Sequence, residues 1–182
     1  MLFNSYEFLF FLLPLVLAGY YLLLPKRGRH GCLALCSYVF YGWWDYRFCG
    51  LLLLTTTIDY IVGGRIAAAA NPAEKRRWLG LSVAVDLSIL GFFKYYDLGA
   101  ATANAVAQWL GAGSGVAPLL HLVLPVGISF YTFQSMSYSI DIYRGHARPA
   151  KSWIDYACYV SLFPQLVAGP IVRYHELDNQ LR

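Results

Sequence analysis

Charged side chains are scarce in this chain. Asp, Glu, Lys and Arg make up 13% of its 182 residues, against roughly 25% in a soluble globular domain. So few cannot cover a water-facing surface. Cysteine is sparse too, with four residues. Cys32 and Cys36 stand one helical turn apart, and Cys49 and Cys158 lie in other apolar segments. No zinc or redox spacing is met, and the four read as small buried hydrophobes. The motifs HExxH and GxSxG are missing. The Gly-rich residues 111–118 lack the Gly-Lys-Ser/Thr ending of a phosphate loop, so they read as a flexible connection. The N-terminus has neither a basic n-region nor a small-x-small cleavage site, so its first apolar run is expected to be retained. No repeat of fixed period occurs.

What is present is apolar and aromatic. Hydrophobic residues make up 58% of the chain and aromatics 17%, including 15 Tyr and 5 Trp. Mean hydropathy is +0.48. These values describe an integral membrane protein with ample material for interfacial aromatic belts. The net charge of +4 comes from short basic clusters between apolar runs, a pattern that fixes topology and is not a nucleic-acid surface.

Asn4 followed by Glu7 has the form of a capping box, and Phe3 with Phe8 that of a hydrophobic staple. A first helix is expected from near Ser5, through Pro14, to Pro25. A second run, residues 31–44, ends in the aromatic cluster YGWWDYRF. A third, 48–62, has threonines able to bond back to their own backbone, carries Asp59 near its far end, and is expected to stop at Gly63 and Gly64. A fourth, 78–93, stops at Lys94 and carries Asp86 at mid-depth. An ionisable group there costs at least a few kcal/mol, so Asp86 must be paired, hydrated or protonated. A functional site and simple packing across a helix interface both satisfy that. Residues 97–110 read as a weaker helix lying flat or re-entrant, and the last run, 153–172, is broken by Pro164, Gly169 and Pro170.

Residues 124–145, LPVGISFYTFQSMSYSIDIYRG, are long enough to span a bilayer of roughly 30 Å yet polar. At about 100° per residue, Gln134, Ser137 and Asp141 form one stripe, and Ser129, Thr132, Ser135 and Ser139 another. Two polar stripes imply burial on two sides. The helix is then either packed inside a bundle, its hydroxyls bonding neighbours, or a wall of a polar cavity. Irregular backbone around Pro164 and Gly169 survives at membrane depth only against protein or water, which places that segment near the same region.

Loops after the first run (Lys26, Arg27, Arg29), after the third (Arg65, Lys75, Arg76, Arg77) and after the polar helix (Arg144, Arg148, Lys151) collect the basic residues, while Arg47 and Lys94 fall on the other side. The bias puts the N-terminus outside and the basic loops in the cytoplasm, with Arg144 as a topological anchor. The four histidines, His30, His121, His146 and His175, all adjoin loops or interfaces, and none has a carboxylate at helical spacing. They read as surface or interfacial groups.

Residues 124–145, with FFKYYDL at 92–98 and FPQLVAGPIVRY at 163–174, resemble the membrane-bound O-acyltransferase family, nearest its alginate O-acetyltransferase branch. The resemblance covers nearly the whole chain but only the N-terminal part, less than half, of a family member. It implies an all-α polytopic membrane fold, with about five to six transmembrane or re-entrant helices. Residues 1–182 would form a single membrane-embedded region without a soluble domain.

It also implies an acyltransferase whose channel histidine acts on a hydroxyl acceptor. That histidine sits in a Trp-His context downstream of the 163–174 motif, and no Trp-His pair occurs here. The expectation is therefore no catalytic residue in this chain and no activity of the chain alone. Gln134, Ser137, Asp141 and Arg173 are expected to line the channel, with Asp86 a buried polar group. No cofactor or metal is expected to be bound. An acyl donor such as acetyl-CoA would be used, and partners would be membrane lipids and periplasmic polysaccharide-acetylation proteins, with the chain in a bacterial inner membrane. The acceptor would be alginate or a similar exopolysaccharide. Two alternatives stay open: D-alanyl transfer to teichoic acid, and a noncatalytic transport or assembly subunit.

Overall fold

The computed structural model describes residues 3–23, 25–111, 117–169 and 174–177, which are helical with short connections. Two helices are long and apolar enough to cross a membrane, α3 (Arg47–Ala68) and α4 (Pro72–Trp109).

The first helix is wound unevenly. A π-helical segment, Phe8–Leu12, leads into α1 (Leu13–Ala18), and a second π segment, Gly19–Leu23, follows. Pro14 explains the entry. It has no N–H to give and its ring crowds the preceding turn, and the wider turn lets Leu13 N–H bond Phe8 O instead. The cap differs from the expected one. Ser5 Oγ, not Asn4, accepts from Phe8 N–H at 3.2 Å. The Phe3–Phe8 staple does form, with ring centroids 5.1 Å apart, and joins Phe40 and Phe163 in an aromatic cluster at one end of the fold.

Helix α2 (Lys26–Gly42) starts earlier than the apolar pattern indicates. Pro25, at φ −64° and ψ 159°, ends the first helix and turns the chain directly into it, so Lys26, Arg27 and Arg29 belong to its first turn and not to a loop. Helix α3 likewise continues past Gly63 and Gly64. Gly63 lies against Tyr138 of a later helix: a Cβ there would come within 2.7 Å of the Tyr138 hydroxyl. The glycine is a packing contact, not a terminator. Thr55, Thr56 and Thr57 return their hydroxyls to carbonyls a turn earlier, as expected.

Helix α4 opens on a well-formed cap, with Asn71 Oδ1 accepting from Glu74 N–H at 2.7 Å and Pro72 in the first turn. It then runs 38 residues without interruption, about 57 Å at 1.5 Å per residue. Residues 97–110 are thus no separate helix: an Ala-rich stretch without proline simply continues it. The chain then doubles back along this extension. Asn104 brackets Ala117 with two hydrogen bonds, and the Asp97 carboxylate accepts Leu120 N–H and Leu122 N–H, each at 2.8 Å. The returning strap leads into α5 (Ile128–Arg144).

After α5 come α6 (Trp153–Ser161), α7 (Phe163–Ala168) and the short α8 (Tyr174–Leu177). The expected break is present: Leu162 leaves helical geometry, Pro164 opens α7, and Gly169 closes it. Helices α3, α4, α6 and α8 all pack on α5, while α2 packs on α6. The main core joins Leu52, Ile66, Leu90 and Ile128 to a run of buried tyrosines.

Candidate functional site

Helix α5 is set between two glycines in the left-handed conformation, Gly127 (φ 76°) and Gly145 (φ 75°). At its end, Gly145 N–H bonds Ile142 O at 3.0 Å and His146 N–H bonds Asp141 O at 2.9 Å, the paired pattern of a Schellman cap. At its start, a Cβ on Gly127 would lie 2.8 Å from Leu166 O. A side chain at 127 would therefore force α5 and α7 apart.

One polar stripe of α5 meets the broken segment. Gln134 Nε2 donates to Tyr159 O at 2.9 Å and to Gln165 Oε1 at 3.2 Å. Helix α6 stops at Ser161, so the carbonyls of its last turn have no partner within the helix, and Gln134 satisfies one of them. Ser137 Oγ donates to Gln134 O at 3.0 Å and lies 3.4 Å from the Tyr159 hydroxyl. Asp141 is buried at the last turn, and its carbonyl is one of the two the cap uses. Arg173 and the His175 side chain lie outside the described residues.

The second stripe faces α3, α4 and α6. Tyr156 donates its hydroxyl to Ser135 Oγ at 3.2 Å. Ser82 Oγ donates to Asp59 Oδ1 at 2.9 Å and sits 2.8 Å from Ser139 Oγ. A hydroxyl has one proton to give, so Ser139 is the donor in the second contact. Asp86, also buried, is a neighbour of Asp59 in the contact between α3 and α4. The Oδ2 atom of each carboxyl is buried and has no partner among the described residues. Asp86 thus has a second acidic group, Asp59, for a neighbour, one that the sequence placed only near a helix end. The signal for it was available: Asp59 and Ser82 lie at nearly equal distances on either side of the turn at residue 70, as facing positions of a helical hairpin must.

Between the stripes stand aromatic rings. Tyr138 lies 4.3 Å from Tyr156 and 4.6 Å from Tyr174, and Tyr159 lies 5.0 Å from Tyr174, measured between centroids. All four tyrosines are almost fully buried. The centre of the fold is therefore an aromatic block with a polar network on each side, a rigid arrangement.

A third polar contact joins α2 to α6. His30 Nδ1 lies 2.7 Å from Asp155 Oδ1. Ser152 caps α6 by accepting Asp155 N–H at 3.1 Å while donating to Asp155 Oδ2 at 2.7 Å. His30 therefore does have a carboxylate partner, at long range in sequence. His121 is exposed in the strap, with φ 48°, and His146 belongs to the α5 cap. Among the described residues no three His, Cys, Asp or Glu groups gather as metal ligands.

No family model matches the chain, and no solved structure matches it. Curated proteins do. A protein of Azotobacter vinelandii named "Probable alginate O-acetylase AlgI" is 45% identical over 181 residues, covering 99% of this chain and 36% of that protein. The protein of the same name from Pseudomonas aeruginosa is 44% identical over 181 residues, covering 99% of this chain and 34% of that protein. A "Peptidoglycan O-acetyltransferase" of Helicobacter pylori is 33% identical over 214 residues, covering 100% of this chain and 39% of that protein. The chain spans little more than a third of the length of these relatives. By sequence, then, it is a relative, from end to end, of part of the alginate O-acetylases, members of the membrane-bound O-acyltransferase family.

Proposed function

We propose that this chain forms the part of a membrane O-acetyltransferase that holds the acceptor channel in shape, and that the acceptor is alginate or a similar exopolysaccharide. One observation carries the reading. The match to proteins named alginate O-acetylase covers 99% of the chain, and so takes in α5 and the α6–α7 break. There Gln134 and the tyrosine block lock the irregular backbone in place. A general base must come within roughly 2.6–3.2 Å of the hydroxyl proton it removes, so a channel wall has to be rigid to serve it. Gln134, Ser137, Asp141 and Arg173 are proposed to stand on or behind that wall. The base itself is expected from a Trp-His segment of the longer protein.

In this reading the protein lies in a bacterial inner membrane, with its N-terminus outside and the basic starts of α2 and α4 and the basic loop before α6 in the cytoplasm. The acyl donor, acetyl-CoA or another activated acetyl group, arrives from that side. Peptidoglycan is a second acceptor to consider, because the Helicobacter pylori relative carries that name.

The test is a chimera. Replacing the matching segment of an alginate O-acetylase with these 182 residues, in cells lacking their own enzyme, should restore acetyl groups on secreted alginate, while the chain alone should not. A chimera that inserts at normal levels but leaves alginate bare would overturn the alginate reading. Assaying peptidoglycan acetylation in the same cells would show which acceptor replaces it.

A further inference from the structure

A cavity of about 450 Å³ lies between the first helix, α2 and the α6–α7 break. Its walls include Leu13, Leu17, Leu33 and Phe163, and Tyr20 and His30 stand among its polar lining. It follows the first helix from Leu13 to Tyr20, about 10 Å at 1.5 Å per residue. Leu17, Tyr21 and Leu22 around it are 47%, 69% and 83% exposed. In a membrane protein such apolar exposure faces lipid tails.

Beside one wall residue of the cavity, Tyr20, stands a cation. The Arg29 guanidinium lies over the Tyr20 ring, 5.1 Å from its centroid, and Arg29 Nε is buried with no hydrogen-bond partner among the described residues. His30, the next residue, does line the cavity. Asp155 engages its Nδ1 at 2.7 Å, which leaves Nε2 as the ring's other hydrogen-bonding atom. Asp155 is thereby committed to His30, and among the described residues Arg29 Nε keeps an unused donor behind Tyr20, at the edge of an apolar slot.

We propose that this cavity binds one acyl chain of an anionic phospholipid with a hydroxylated headgroup, such as phosphatidylglycerol. The chain lies against Leu13, Leu17 and Leu33. The phosphate pairs with Arg29, and a headgroup hydroxyl, able to donate or accept, hydrogen-bonds His30 Nε2. The charge complementarity selects the occupant: a zwitterionic lipid would bring its own cation to a site that already has one, and a bare hydrocarbon would leave Arg29 unpaired. The site is distinct from the α5 network, and the inference does not depend on the acetyltransferase reading.

The experiment places the chain in nanodiscs of phosphatidylcholine doped with a phosphatidylglycerol carrying a photoreactive group on one acyl chain, or with the matching phosphatidylcholine probe. Cross-linked peptides are identified by mass spectrometry. The phosphatidylglycerol probe should label residues 13–21 and 33 about fivefold more than the phosphatidylcholine probe, and unlabelled phosphatidylglycerol should compete. Leu17→Trp, at a half-exposed position, should block labelling by filling the slot. Arg29→Gln should leave labelling but erase the headgroup preference. Equal labelling by both probes, labels scattered over all lipid-facing helices, or indifference to unlabelled phosphatidylglycerol in the unaltered chain would each overturn the proposal.

Discussion

Ser82 of α4 donates its hydroxyl proton to Asp59 of α3 at 2.9 Å, with both residues fully buried. A carboxyl on an otherwise apolar helix is thereby tied to the facing helix, and Ser139 ties both to α5. Removing the acceptor leaves a buried donor and a cavity. Asp59→Ala should cost about 1–3 kcal/mol of stability, measured by thermal unfolding in detergent, whereas Asp59→Asn keeps an acceptor for Ser82 and should cost clearly less. Ser82→Ala should fall near the ~0.6 kcal/mol typical of interhelical bonds in membranes. Equal losses for Asn and Ala would mean that charge, not the hydrogen bond, is what this position contributes.

Gly63 and Gly64 are neighbours with opposite environments. A Cβ on Gly63 would press into the Tyr138 ring, which is packed among other tyrosines and whose hydroxyl accepts Ala150 N–H at 3.2 Å, while a Cβ on Gly64 meets nothing within 4 Å. Gly63→Ala should therefore destabilise by about 1–3 kcal/mol through overpacking. Gly64→Ala should be neutral or stabilising by up to about 1 kcal/mol, since alanine is the better helix former. Comparable effects of the two substitutions would show that α3 and α5 do not approach as closely as the structure places them.

The same pair of glycines shows where the sequence could be read and where it could not. Features whose partners lie within a few residues were legible: the Phe3–Phe8 staple, the threonine back-bonds, the two polar stripes of α5 and the breaks at Pro164 and Gly169. Others depended on a distant neighbour. Gly63 looked like a stop because its compensating partner, Tyr138, is on another helix. Residues 97–110 looked separate because Lys94 and Asp97 interrupt the apolar run, yet Asp97 spends its carboxylate on the strap and leaves the helix intact. His30 and Asp155 stand 125 residues apart, and no spacing rule reaches that far. The polar networks on α5 divide in the same way: Gln134 and Ser137 stand out by helical phase, while their partners Tyr159, Asp59 and Tyr156 enter only once the helices are packed.

The His30–Asp155 contact is the polar link between the first turns of α2 and α6, and Ser152 holds its carboxylate from behind. A double-mutant cycle with His30→Ala and Asp155→Ala should give a coupling of about 0.5–3 kcal/mol. Ser152→Ala removes both an N-cap and the second bond to Asp155, and should cost about 0.5–2 kcal/mol. Additive single substitutions would mean that the 2.7 Å approach contributes nothing to holding the two helices together.

The strap along the far end of α4 is held by two side chains of that helix. Asp97 accepts two backbone N–H groups, from Leu120 and Leu122, and Asn104 both donates to and accepts from Ala117. Apart from these bonds the strap is largely exposed, with His121 at φ 48° and Leu119, Leu120 and Val123 facing outward. Asp97→Ala should release residues 117–123 while leaving α4 helical, because the carboxylate bonds the strap and not its own helix. The expected readout is faster protease cleavage between 117 and 123, with far-ultraviolet circular dichroism unchanged. Asn104→Ala should give a smaller increase, since it frees only the start of the strap. If cleavage instead appeared within 97–109, the strap would be supporting that half of α4, and the continuous helix would owe its length to tertiary bonds and not to its alanine-rich sequence.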